Sequence, residues 1–157
     1  MLKLKVKYHD PNMPRLKKLD VGDWIDLYVV DVLNLPAFRW DEEKKGWEIF
    51  SGDIVKVSLG ISVELPLGYE AHIAPRSSLF KKHKLILTNS IGIIDNSYCG
   101  NEDIWKGYLY CLQGHTILKK YERILQFKIV KNMPPIYIEE VDDLRNKNRG
   151  GFGSTGE

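Results

Sequence analysis

Apolar and polar residues alternate along most of this chain, and a two-residue period is satisfied only by extended strands with one buried face. Leu2, Leu4, Val6 and Tyr8 fall on one side of the first such segment, and Lys3, Lys5 and Lys7 on the other. Similar runs cover residues 25–33, 53–59, 69–74, 104–112, 123–131 and 136–141. Gly22, Gly46, Gly60, the Pro66–Gly68 turn and Asp95–Asn96 punctuate them. Helical periodicity is confined to one short stretch, 78–83, with Ser77 positioned to cap it. Many short strands joined by regular turns predict an all-β sandwich or barrel.

Composition narrows the class. The 157 residues suit one domain, able to bury roughly 70% of the surface of its unfolded chain. Apolar residues at 43% and charged residues at 28% exclude a disordered or fibrous chain. The 23 Lys+Arg against 21 Asp+Glu leave only +2, which argues against an electrostatic nucleic-acid binder. No apolar run is long enough to span a bilayer, and MLKLKVKYHD alternates where a signal peptide would have an apolar core. Cys99 and Cys111 make no disulfide framework, so a reduced, cytoplasmic protein is expected. His72, His83 and His115 lack the spacing of zinc ligands.

Two segments stand apart. Residues 41–46, DEEKKG, lie between Trp40 and Trp47 and read as a hairpin tip. From Leu144 the sequence LRNKNRGGFGSTGE carries four glycines and no strand pattern, which predicts a main domain over 1–143 and a flexible arm over 144–157.

Several segments offer chemistry. In Ala74-Pro75-Arg76-Ser77-Ser78, a planar cationic fork and two hydroxyls stand at the start of the short helix, a combination that can hold phosphate. The same serines serve equally as plain capping residues. Asp95 follows an apolar approach, ionised at neutral pH and able to take a proton from water, although Asp95-Asn96-Ser97 is also an ordinary turn sequence. The glycines of 150–156 could wrap a phosphate with their amides while Phe152 stacks on a planar ring.

The order of these segments carries more than any one of them. Asp26-Leu27, PRSS at 75–78, NSIGIIDNSYCG at 89–100, ERILQ at 122–126 and GGFGSTG at 150–156 resemble the five motifs of the trimeric dUTPase family, in sequence and over nearly the whole chain. That resemblance implies a jelly-roll-like β-sandwich of the dUTPase β-clip type, assembled as a homotrimer. In it, the C-terminal arm of one subunit closes a site formed by the others. It also implies hydrolysis of dUTP to dUMP and pyrophosphate with Mg2+ chelated by the triphosphate.

By the same resemblance Asp95 orients and deprotonates the water that attacks the α-phosphorus, and Tyr98 packs under the deoxyribose. Asn89, with backbone at Ile93 and Ile94, contacts uracil. Arg76, Ser77, Ser78 and Gln126 contact phosphates, and Asp26 reaches magnesium through its waters. Phe152 lies over the base, and Gly153, Ser154 and Thr155 belong to the arm that meets the terminal phosphates. An Asn amide can flip to suit either uracil or cytosine, so discrimination has to rest on backbone groups of fixed polarity. Magnesium keeps most of its waters, consistent with the lack of an acidic cluster.

This chain departs from the family pattern in places. Lys147 stands where an Arg is usual, with Arg149 two residues later as the candidate phosphate contact. Cys99 replaces a usual Arg or Gln, Lys84 a usual Gly, and residues 34–52 exceed the corresponding loop of compact relatives. Two competing readings are a dCTP deaminase-type relative, which needs an additional Glu near the base, and a regulatory dUTP-binding protein that contacts a partner such as a repressor through 34–52.

Overall fold

A computed structural model describes residues 1–151 and contains thirteen short strands, every ladder antiparallel. In chain order they are β1 (Lys5–Tyr8), β2 (Ile25–Tyr28), β3 (Asp31–Val32), β4 (Trp40–Asp41), β5 (Gly46–Phe50), β6 (Ile54–Ser58) and β7 (Ile61–Glu64). There follow β8 (Tyr69–Pro75), β9 (Leu85–Leu87), β10 (Gly92–Ile94), β11 (Lys106–Cys111), β12 (His115–Lys119) and β13 (Arg123–Lys131). One sheet has the order β10-β8-β13-β2 and a second β3-β6-β11-β9. A third runs β12-β5-β4, and β1 pairs with β7. The only α-helix among the described residues, α1 (Leu79–His83), follows β8 directly.

All four sheets contribute to one core. Leu27, Ile49, Ile61 and Leu109, one from each sheet, are fully buried, and Trp105 meets Phe127 edge-on at 5.2 Å between ring centres. The expected all-β sandwich is what these residues build, and non-local strand pairing, not helix, carries it. No helix among the described residues is long and apolar enough to cross a membrane.

The strand expected over 25–33 divides in two because the chain changes sheets. Val29 bonds to Glu122 and Tyr121 on the β13 side, whereas Val30 donates to the Ser58 carbonyl on β6. The charged run 42–45 is a hairpin turn, with Trp40 opposite Trp47 and Asp41 opposite Gly46. The second half of segment 34–52 is therefore β5, which lies between β4 and β12 inside its sheet.

Two expectations fail. Residues 136–141 form no strand; after Pro134 and Pro135 they run exposed, with no strand edge of this chain beside them. Ser77 does not cap α1. The helix begins at Leu79 with Ser78 at the N-cap position, and no side-chain capping bond forms; the Leu79 amide instead turns back onto the Arg76 carbonyl at 3.0 Å.

Candidate active site

One cleft forms where β2, β8 and β13 lie side by side, and a β-bulge shapes it. Arg123 and Gln126 are three residues apart, so strict alternation would send them to opposite faces. The register of β13 against β2 shifts between Arg123 and Leu125, so Ile124 and Leu125 both enter the core while Arg123 and Gln126 both leave it. Gln126 comes directly opposite Asp26. Arg123 Nη1 donates to Asp26 Oδ2 at 3.0 Å, and Arg76 Nε lies 2.9 Å from Asp26 Oδ1. Arg76 is further tied by its own amide to the Ile124 carbonyl and by Nη1 to the Arg123 carbonyl, while Gln126 Nε2 donates to the Pro75 carbonyl.

The cleft of about 260 Å3 above these groups is lined by Asp23, Trp24, Asp26, Arg76, Ser77 and Gln126. Ser77 and Ser78 are exposed and not consumed by capping, which leaves their hydroxyls available to a ligand. In the cleft the Arg76 guanidinium, held in place by the Asp26 carboxylate with Ser77 beside it, suits phosphate oxygens.

Glu122, which immediately precedes Arg123, is held by α1. His83, at the end of α1, is buried, with Nδ1 2.6 Å from Thr116 Oγ1 and Nε2 2.9 Å from Glu122 Oε1. Lys82 also pairs with Glu122. Burial alone would raise the Glu122 carboxyl, but its hydrogen bonds from His83 and Lys82 outweigh that and hold it at about 2.

A second site lies along β10. That strand is the edge of its sheet, so the backbone groups on its outer side have no strand partner. They face a cavity of about 260 Å3 lined by Thr88, Asn89, Gly92, Ile93, Ile94 and residues 106–108 of β11. A cavity of about 410 Å3 continues from it, lined by Ile93, Ile94, Asp95, Ser97, Tyr98, Ile104 and Lys106. Asp95 is exposed, and its Oδ1 accepts both the Ser97 amide (2.7 Å) and the Ser97 hydroxyl (2.5 Å). Those bonds hold its pKa below the ordinary aspartate value and fix the carboxylate plane. The Asn96 amide donates to the Leu65 and Pro66 carbonyls, pinning the loop that carries Asp95. The Gly100 amide donates to Asp103 Oδ2 at 2.7 Å, which ties down the turn that follows.

The two sites do not meet within one chain. Ile94 pairs with Ala71, which brings Asp95 level with Glu70, whereas Arg76 lies six residues farther along β8. Six extended residues span roughly 20 Å. Arg149 and Lys147 are exposed on the strandless segment after Lys131 and line none of these cavities. Phe152, Gly153, Ser154 and Thr155 lie outside the described residues.

Among the described residues no group of three or more His, Cys, Asp or Glu could hold a metal ion. Each Asp26 oxygen is engaged by one guanidinium, which leaves lone pairs for a water but not an open chelating face. The donor set therefore fits a hydrated magnesium brought in with phosphate ligands, held through water.

Arg123 and Asn96 were hidden from sequence reasoning as site residues: the bulge defeats alternation at Arg123, and Asn96 acts through carbonyls thirty residues away.

The chain is thus an antiparallel β-sandwich with one cleft beside the Asp26–Arg76 ion pair and a second pocket along an edge strand. The chain belongs to the dUTPase family, whose model matches residues 45–156. It is 44% identical over 155 residues to the SPbeta prophage-derived deoxyuridine 5′-triphosphate nucleotidohydrolase YosS of Bacillus subtilis (strain 168), covering 99% of each protein. Its fold is similar to that of a Staphylococcus bacteriophage 80alpha dUTPase mutant with dUpNHpp (TM-score 0.72, 19% identity, 99% of each chain). It is also similar to a mutant dUTPase from phage phi11 of S. aureus, described as coordinating a structural Mg(II) ion. That match has a TM-score of 0.69 and 13% identity, over 92% of this chain and 99% of the other.

Proposed function

We propose that the protein hydrolyses dUTP to dUMP and pyrophosphate, as a homotrimer in the cytoplasm. Family membership supports the reaction. The separation of the Asp95 site from the Arg76 cleft, roughly 20 Å along β8, is the observation that carries the assembly. A single nucleotide can engage both only if they come from different copies.

In this reading uracil lies against the free edge of β10, where backbone donors and acceptors of fixed polarity tell it from cytosine. Tyr98 supports the sugar. Asp95, with Oδ1 held by Ser97, orients a water and takes its proton as the water oxygen bonds to the α-phosphorus. The bond from that phosphorus to the bridging oxygen breaks, and pyrophosphate leaves. Arg76, Ser77, Ser78 and Gln126 of another copy hold the phosphates. Asp26 is the residue that would hold a magnesium ion, which when bound would offset triphosphate charge. Residues 144–157 form an arm that closes a neighbour's site through Arg149, Phe152, Gly153, Ser154 and Thr155.

The test is to incubate the protein separately with dUTP and dCTP and resolve the products by ion-exchange chromatography, alongside light scattering. dUMP and pyrophosphate from dUTP, unchanged dCTP and the mass of three chains are expected. Deamination of dCTP, or full activity in a monomer, overturns the reading.

A further inference from the structure

Among the described residues Lys106 is the one cation that lines both the Asn89 cavity and the Asp95 cavity, which it shares with Ile93 and Ile94. It opens β11, immediately after the fully buried Trp105, so its backbone is fixed while its side chain is exposed. Among the described residues no carboxylate pairs with it, unlike Arg76 and Arg123, which share Asp26.

The compartment presents a difficulty that its other residues do not solve. An ionised carboxylate stands where a phosphate has to approach within reach of a carboxylate-held water, and two like charges at that range repel. Besides Lys106, the Asp95 cavity is lined by Ile93, Ile94, Ser97, Tyr98 and Ile104, none of them cationic.

We propose that Lys106 is a substrate-contacting residue whose ammonium group binds the phosphate nearest the sugar, on the same chain as Asp95. This rests on the dUTP reading above and assigns that site a phosphate ligand of its own, independent of the Arg76 cleft. A lysine suits the task, because a point charge on a flexible stem follows a phosphate that changes geometry during reaction.

The experiment compares wild type with Lys106→Met and Lys106→Arg, measuring dUMP and deoxyuridine binding by calorimetry and dUTP turnover in parallel. dUMP carries only the phosphate in question, and deoxyuridine carries none. Lys106→Met is expected to weaken dUMP at least about tenfold, leave deoxyuridine unchanged and raise KM for dUTP, with Lys106→Arg restoring most of the loss. Unchanged dUMP affinity in Lys106→Met overturns the proposal, as does equal weakening of dUMP and deoxyuridine. Melting temperature confirms that each variant folds. Binding is read apart from turnover, so a wild type that binds dUMP but does not hydrolyse dUTP would refute the enzymatic reading and leave the Lys106 comparison intact.

Discussion

Arg76 and Asp26, fifty residues apart in sequence, form an ion pair with Nε 2.9 Å from Oδ1, and Arg123 takes the other carboxylate oxygen at 3.0 Å. One side chain thereby fixes two guanidiniums before any ligand arrives. Asp26→Asn removes the charge that anchors both and any water-mediated hold on magnesium. We expect kcat/KM to fall at least about tenfold and the magnesium concentration for half-maximal rate to rise, as read from a metal titration of steady-state rates.

Asp95→Asn keeps the shape of the loop but cannot accept a proton. Turnover should fall by about 10²–10⁴ while dUMP affinity holds or rises, since the like charge beside its phosphate is gone; single-turnover rates and calorimetry check both.

The Ser97 bonds depress the Asp95 pKa, so the carboxylate stays ionised at every pH above the ordinary aspartate range. The acid limb of the kcat/KM profile in wild type, which reports the free protein, should therefore lie below that range. Ser97→Ala removes the hydroxyl bond and should move the limb upward. A limb that stays in place in the variant would show that another group governs it.

Glu122, at about 2 in the folded chain against an ordinary 4.5, binds its proton later than it does when unfolded. Its contribution is fully present above pH 4.5 and fades as the pH falls through about 2. It is on the order of 3 kcal/mol. Urea titrations of wild type and Glu122→Gln should differ most near pH 6 and converge near pH 2.

Much of the fold was legible because β13 and β8 alternate long enough to be read, and their ends match the sequence expectation to within a residue. β9 and β10, at three residues each, are too short to show a period. β5 was masked by the charged turn that leads into it. Residues 136–141 have the right pattern but no partner strand in this chain, and pattern alone forms no ladder. Asp26, Arg76, Ser77 and Gln126 were found and do come together, as do Asn89 with Ile93 and Ile94, and Asp95 with Tyr98. The roughly 20 Å between those groups was beyond sequence reasoning, because it follows from the register of β10 on β8.

Gly46 lies opposite Asp41 where β5 meets β12, and a Cβ there would stand 2.7 Å from the Leu118 carbonyl oxygen. Gly46→Ala should cost about 1–3 kcal/mol, seen as a lower melting temperature, since backbone cannot step aside as a side chain could.

The uncovered side of β10 also bears on solubility. An unsheltered strand margin invites another polypeptide to zip onto it, the first step toward aggregates. A nucleobase seated there acts as a small plug on that margin. Resistance to precipitation should consequently track ligand occupancy, independently of whether the bound nucleotide is ever cleaved.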